Sequence, residues 1–325
     1  MSVVDGSFGN PMRLEEEASA PLAGGIMNHG FQCGMLWGAS LAAGAEVYRR
    51  FGSGPQAEAT AIMASERLME TFRGRTKNEI NCAEITEINF QEMKGFMPIL
   101  KYFVKGGKIG PGACFRLAAG YAQDAFNAID AALPEEPVKA LSQPISCAAV
   151  LAKKMGATEM HVVMAPGFAG GISLSGSACG ALGAAIWLTA MDSHEEGVSK
   201  LGYFNNPVYS AVIDRFVENT DCEFECCEIV GRKFESIDDH AAYLRDGGCS
   251  EIIEALLGRC VGMAPISGLG DLTCCGILPP RWFARALKSV YTGHNLWCKR
   301  GWRASVLFRV VVVPDCSCQV KGMGE

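Results

Sequence analysis

One glycine-rich stretch occurs twice in this chain, and each copy leads to a cysteine followed by an apolar run. The second copy reads Ala169-Gly-Gly-Ile-Ser-Leu-Ser-Gly-Ser-Ala-Cys179-Gly-Ala-Leu, and the first reads Ala23-Gly-Gly-Ile-Met-Asn-His-Gly-Phe-Gln-Cys33-Gly-Met-Leu. The two copies match at Ala, Gly, Gly, Ile, Gly, Cys, Gly and Leu without a gap, at an offset of 179 − 33 = 146 residues. The sequence therefore predicts a tandem duplication with a cysteine at the centre of each unit.

Each copy, which we call a glycine turn (residues 24–33 and 170–179), combines a glycine pair with a following helix. Glycines accept backbone angles that other residues avoid, and the small apolar residues after each cysteine favour a helix. We therefore expect Cys33 and Cys179 at helix N-termini, where unpaired N–H groups and the helix dipole stabilise a thiolate and lower the thiol pKa. The turn residues so identified are Gly24, Gly25, Gly170, Gly171 and Gly180.

Further matches extend the duplication over most of the chain. Cys82-Ala-Glu-Ile corresponds to Cys226-Cys-Glu-Ile at an offset of 144, and Cys114 corresponds to Cys249. Apolar residues recur at helical spacing, and almost no segment shows the alternation of a strand. These patterns predict an all-α fold of two pseudo-repeats, a first helical cysteine repeat within residues 1–132 and a second over 138–258.

Residues 259–325 have no counterpart upstream and no sustained helical period. They carry nine Lys and Arg residues against three Asp and Glu residues. We interpret them as a basic, irregular tail that is disordered or anomalous in origin and dispensable for folding, and a docking tail is the alternative. Cys298 lies in this tail and is expected to play no part in the site.

Composition excludes several classes of function. A formal charge of −6 and a pI near 5.5 argue against nucleic-acid binding, which requires clustered Lys and Arg. No signal peptide is recognisable at the start, so we expect a cytoplasmic protein, in which fifteen cysteines are metal ligands or redox thiols rather than a disulfide framework. Two uncharged runs, 18–45 and 165–191, are predicted to form buried helices rather than membrane spans.

The cysteine pattern of the second repeat resembles a known family. Cys147-Ala, Gly170-Gly171 before Cys179-Gly-Ala-Leu-Gly, Cys227-Glu-Ile-Val-Gly and Gly248-Cys249 appear in the order found in the redox-active C_GCAxxG_C_C family, which is named for four cysteines and a GCAxxG motif. Alignment of the two repeats instead favours Cys226 as the third cysteine, so both remain candidates. The resemblance is weaker over residues 14–132, where the corresponding cysteines are Cys33, Cys82 and Cys114.

This resemblance implies a redox role for Cys147, Cys179, Cys226 or Cys227, and Cys249. They would either bind an iron–sulfur cluster or cycle between dithiol and disulfide, in an oxidoreductase or an electron-transfer component. The implied partner is an electron-transfer protein, or a transporter or oxidoreductase system, of unknown identity. The alternative is a non-catalytic helical scaffold whose cysteines bind structural Zn or nothing.

Other polar residues receive simpler interpretations. His29 is a candidate ligand or proton donor, but an ordinary polar turn residue is the preferred interpretation. Glu84 and Glu228 are interpreted as carboxylates on helix surfaces. The glycine turns lack the signatures of a phosphate-binding loop.

Overall fold

The computed structural model describes residues 1–88, 113–135, 146–195 and 206–258, and within these ranges the chain forms helices joined by turns. The predicted all-α class is confirmed: no strand occurs in the described ranges, and their only β pairing is two isolated bridges. The predicted tail, 259–325, lies outside the described residues. The thirteen described α-helices are α1 Ser2–Ser7, α2 Arg13–Ala18, α3 Gly34–Phe51, α4 Pro55–Arg75, α5 Cys82–Thr86, α6 Ala113–Ala132, α7 Cys147–Lys154, α8 Glu159–Met164, α9 Gly180–Glu195, α10 Pro207–Asn219, α11 Cys226–Val230, α12 Ile237–Arg245 and α13 Ser250–Leu256.

Local sequence signals determine where several helices begin. Pro55 and Pro207 are the first residues of their helices, where the missing N–H of proline costs nothing. The Ser146 hydroxyl accepts a bond from the Ala149 N–H at the start of α7, and Ser236 caps α12 in the same way. Proline and serine signals of this kind thus mark the starts of α4, α7, α10 and α12.

The core is built around α3 and α9, the helices that follow the two glycine turns. Trp37 of α3 and Trp187 of α9 are fully buried, and one continuous apolar cluster joins residues of both halves, from Val4 to Leu256. A Cβ at Gly183 would overlap the Trp37 ring, so glycine allows α9 to approach α3 closely. The two predicted repeats thus share one core. No described helix is both long enough and apolar enough to cross a bilayer.

The glycine turns have an unusual backbone that the sequence did not predict. Five consecutive residues in each turn, 24–28 and 170–174, have positive φ angles, from 47° to 85°. These runs include Ile26 and Ile172, although β-branched residues rarely adopt that region. Both isoleucines are fully buried, so their burial helps to offset the strain of a left-handed conformation.

The two turns also share their hydrogen bonds. The N–H of Ile26 donates to Leu22 and that of Ile172 to Phe168, and four further bonds recur at the same offset of 146. The first residues of α2 and α8, Arg13 and Glu159, are also 159 − 13 = 146 residues apart. These matches support the predicted pseudo-repeats of residues 14–132 and 138–258, which stay a prediction for the complete segments.

We expect Gly171→Ala to destabilise the protein far more than Gly231→Ala. Both glycines have a φ near +80°, but a Cβ at Gly171 would overlap the backbone of Ser177, whereas Gly231 has open space around it. The left-handed φ alone costs about 1 kcal/mol, and the overlap brings the loss at Gly171 to about 3 kcal/mol. Urea unfolding followed by circular dichroism measures both, and equal losses would show that the turn is not tightly packed.

Candidate functional site

Four cysteines of the second half each lie at the N-terminus of a helix. Cys147 is the first residue of α7, Cys226 is the first residue of α11, Cys179 immediately precedes α9, and Cys249 is the N-cap of α13. Gly176 and Gly247 precede Cys179 and Cys249 with positive φ angles. The prediction that Cys179 lies at a helix N-terminus is therefore confirmed, and Cys249 has a similar position after its own glycine pair.

Backbone pairing holds two of these cysteines side by side. The Cys179 N–H donates to the Phe224 carbonyl at 2.8 Å, and the Cys226 N–H donates to the Ser177 carbonyl at 2.7 Å. These bonds flank an antiparallel bridge between Ala178 and Glu225. The last residues of the glycine turn thereby fix the position at which α11 begins.

The thiols of Cys147, Cys179, Cys226 and Cys249 lie close enough to interact electrostatically. Burial raises the pKa of Cys226 most, and the charges of Cys179, Cys147, Cys249 and Cys227 raise it further. Burial also raises the pKa of Cys249 most, followed by the charges of Cys147 and Cys179. The backbone N–H of Ala181, in the first turn of α9, acts on both Cys147 and Cys179 and lowers the pKa of each. These shared effects indicate that the four thiols are neighbours, and their convergence on one binding site stays a prediction.

Cys227 lies next to a carboxylate, although its charge also raises the pKa of Cys226. Its thiol is half-buried and lies 3.9 Å from the Glu228 carboxylate, whereas Cys226 is buried. After burial, the charges that act most on Cys227 are those of Glu228 and Glu225. Burial and backbone pairing with the glycine turn distinguish Cys226 from Cys227, and which of the two belongs to the ligand set stays a prediction.

The predicted lowering of the thiol pKa is not found. Burial raises the pKa of Cys179 to about 12 and also raises the pKa of Cys147, Cys226 and Cys249. Backbone N–H groups at the helix starts do favour the thiolate, but loss of water around the sulfur and repulsion between neighbouring thiolates outweigh them. Without a bound cation, these thiols stay protonated at neutral pH.

Three cysteines of the first half have a corresponding arrangement. Cys33 precedes α3, Cys82 is the first residue of α5, and Cys114 lies at the start of α6. The Cys33 N–H donates to Ile80 at 2.8 Å, and the Cys82 N–H donates to Phe31 at 2.6 Å. Burial raises the pKa of Cys82 most, and the charges of Cys33 and Cys114 raise it further.

The spacing of the sulfurs restricts what either group can bind as it stands. In the described part of the chain, the only three potential ligands whose donor atoms all lie within 4.8 Å of one another are Glu225, Cys227 and Glu228. No three of the grouped cysteine sulfurs are that close. A single tetrahedral Zn with Zn–S bonds of about 2.3 Å would draw its sulfurs to within about 4 Å.

Several neighbours of the cysteines were not identified from the sequence. Tyr243 packs against Gly248, and the charges of Cys249 and Cys226 raise the pKa of its hydroxyl. The buried Gln32 amide donates to the carbonyls of Gly171 and Ala178, which joins the two glycine turns. Only side-chain contacts between distant segments reveal these roles, and a local sequence pattern contains no such information.

The polar residues with simpler interpretations also have definite positions. The His29 ring stacks on Phe224 with centroids 5.4 Å apart, and burial lowers its pKa to about 4, so it stays neutral at pH 7. Glu84 and Glu228 are exposed on their helices, as predicted.

We expect the metal-free, reduced protein to lose stability above about pH 9. A thiol in the unfolded chain ionises near pH 8.5, but Cys179 holds its proton to about pH 12, so its contribution to stability is complete below pH 8.5 and falls as the pH rises. Urea unfolding between pH 7 and pH 11 measures the trend. In Cys179→Ala the decline should be shallower by about 1.4 kcal/mol per pH unit above pH 9, and an unchanged slope would contradict the raised pKa.

One family model matches the second half of the chain. Residues 145–263 match the family model described as "Putative redox-active protein (C_GCAxxG_C_C)". No curated protein and no solved structure matches the chain. The match does not extend over the first half, so the first copy of the motif stays a prediction. The segment that contains Cys147, Cys179, Cys226 and Cys249 is thus the part of this chain that matches the redox-active C_GCAxxG_C_C family.

Proposed function

We propose that Cys147, Cys179, Cys226 and Cys249 bind an iron–sulfur cluster and that the protein is an electron-transfer component of a larger oxidoreductase system. The observation that carries this proposal is that four cysteines lie at four separate helix N-termini, two of which, Cys179 and Cys226, are held side by side by backbone hydrogen bonds. A bound cluster takes up and releases one electron at a time. We place this activity in the reducing environment of the cytoplasm, where such thiols are kept from forming disulfides.

The raised thiol pKa values support a cation-bound site. Several thiolates in a buried group repel one another and lack water, so their joint ionisation is unfavourable without a positive partner. Bound iron would supply that charge, and Cys147, Cys179, Cys226 and Cys249 would hold it as thiolates after releasing their protons to solvent. A dithiol that reacts by exchange would instead need a thiol that ionises near neutral pH, which burial of Cys179 opposes.

The sulfur spacing supports a cluster over a single ion. Each cysteine of a four-iron cluster binds a different iron, so the sulfurs can lie farther apart than they do around one Zn. The absence of any cysteine trio within 4.8 Å in the described chain agrees with the wider arrangement. Four cysteines from four helix starts provide the donor set that such a cluster requires.

The chain itself would tune the electron affinity of the site. Backbone N–H groups of Gly170 and Ala181 act on Cys147, and those of Ala181 and Leu182 act on Cys179. Donors directed at the sulfurs stabilise the more negative, reduced state and so raise the reduction potential. Cys249 and Tyr243 are only partly buried, so this side is where an electron partner would approach.

The adjacent residues Cys226 and Cys227 provide a matched test. We expect the full-length protein, purified or reconstituted without oxygen, to absorb broadly in the visible range and to contain iron and acid-labile sulfide. Cys226→Ser should lose about half of the bound iron or more, because it removes a ligand. Cys227→Ser should retain wild-type content, because its thiol faces Glu228.

Three outcomes would reject the proposal. Equal loss of iron in Cys226→Ser and Cys227→Ser would show that Cys226 is not the specific third ligand. Protein that contains Zn and no visible absorption would favour the structural site. Metal-free protein whose mass falls by about 2 Da for each disulfide formed on mild oxidation would favour dithiol chemistry.

A further inference from the structure

We propose that the first glycine turn is a positioning element for the cysteine site of the second half, in which Gln32 and Phe31 fix the backbone that presents Cys179. This inference rests on the proposed function, since it concerns how firmly that site holds a metal. It goes beyond the family match, which covers residues 145–263 only. It gives the first half a role that requires no metal of its own.

The peptide group between Ala178 and Cys179 is held at both of its polar atoms. Its N–H, from Cys179, donates to the Phe224 carbonyl at 2.8 Å. Its carbonyl, from Ala178, accepts the Gln32 side-chain amide at 3.4 Å, and the same amide donates to the Gly171 carbonyl at 3.2 Å. A peptide group is planar, so these two contacts restrict its rotation and with it the position of the Cys179 side chain. One of the two contacts comes from the first half.

Gln32 is well placed to act as a fixed donor. It is fully buried, the Trp37 indole N–H donates to its backbone carbonyl at 3.1 Å, and an antiparallel bridge pairs it with Asn81. Two carbonyls face its side-chain amide, and only the NH2 group of that amide can donate to them. A buried carbonyl without a donor is unfavourable, so the amide keeps this orientation.

A ring contact joins the same two segments. Phe31 stacks on Phe224 with ring centroids 4.6 Å apart and ring planes at 21°, and His29 stacks on Phe224 at 5.4 Å. The Phe31 carbonyl accepts the Cys82 N–H at 2.6 Å, so backbone pairing within the first half fixes Phe31. Phe224 is the residue whose carbonyl accepts the Cys179 N–H. The stack therefore steadies the second contact that holds the Cys179 peptide group.

These contacts act in one direction, from the first half to the second. Three positions of the first turn carry large side chains where the second turn carries small ones at an offset of 146, namely His29, Phe31 and Gln32 against Ser175, Ser177 and Ala178. A serine has no ring to stack, and an alanine side chain has no donor. The second turn thus cannot fix Cys33 by the same two contacts.

The first test measures the position of the Cys179 backbone without metal. Gln32→Met removes the donor at nearly the same side-chain volume. Its matched control is Tyr121→Phe, which removes a buried hydroxyl that donates to the Leu68 carbonyl at 3.1 Å. In the metal-free, reduced, full-length protein, we expect the Cys179 amide to exchange its hydrogen about tenfold faster in Gln32→Met than in Tyr121→Phe, the scale for loss of one buried hydrogen bond. Nuclear magnetic resonance measures this rate for individual amides.

The second test measures how firmly the site holds iron. Gln32→Met keeps every cysteine, so after anaerobic reconstitution with ferrous iron and sulfide it should contain iron as wild type does. It should release that iron to a ferrous chelator about tenfold faster, the scale for loss of a group that orients a metal ligand. Phe31→Leu, which removes the stacked ring, should also release iron faster. Phe31→Tyr keeps the ring and should match wild type.

The outcomes separate this inference from the proposed function. Equal exchange at Cys179 in Gln32→Met and Tyr121→Phe would overturn the inference, because the effect would then be a general loosening of the core. Iron release at the wild-type rate in both Gln32→Met and Phe31→Leu would overturn it too. Wild-type protein that contains no iron would reject the proposed function alone, since hydrogen exchange tests the position of Cys179 without metal. If circular dichroism shows that Gln32→Met does not fold, Phe31→Leu replaces it in both tests, with Phe31→Tyr as its control.

Discussion

The site depends on a pair of backbone hydrogen bonds between segments that are far apart in sequence. Cys179 and Cys226 are separated by 226 − 179 = 47 residues, and closing a loop of that length has an entropic cost. The bonds from Cys179 to Phe224 and from Cys226 to Ser177 hold the two ends together. They can form only because the glycine turn reverses the chain before Cys179. The turn thus has a structural function first, and the chemistry of the thiols follows from where it places them.

Burial of the cysteines stabilises the fold but opposes ionisation of their thiols. It contributes stability, since the cysteines at the heads of α3 and α9 belong to the same apolar cluster as Trp37 and Trp187. It also removes water from sulfurs that must ionise before they can bind a metal. At the helix starts, N–H donors such as that of Ala181 offset only part of this cost. Buried thiols of this kind ionise more readily beside a bound cation than alone. Such a site is therefore better suited to bind a metal than to react by thiol–disulfide exchange.

Much of the fold could be predicted because its signals are local. Prolines at helix starts, the Ser236 cap and the glycine pairs act within a few residues, so the printed sequence is sufficient to place them. The sign of the thiol pKa shift was predicted wrongly, because it depends on how much water the completed core excludes at Cys179. The choice between Cys226 and Cys227 also needed the structure, since adjacent residues at a helix start point in different directions. The left-handed run from Gly170 to Leu174 was missed because isoleucine at positive φ contradicts local propensity.

The contact between the two glycine turns explains why the halves form one core rather than two. Gln32 stands where the second turn has Ala178, and its buried amide donates to the Gly171 and Ala178 carbonyls. Phe31 stacks on Phe224 at a centroid distance of 4.6 Å, and the Phe224 carbonyl accepts the bond from Cys179. A side chain next to Cys33 therefore contacts the backbone that positions Cys179. This contact requires the two turns to differ at this position, since an alanine here in the first turn would leave both carbonyls without a donor from the first half.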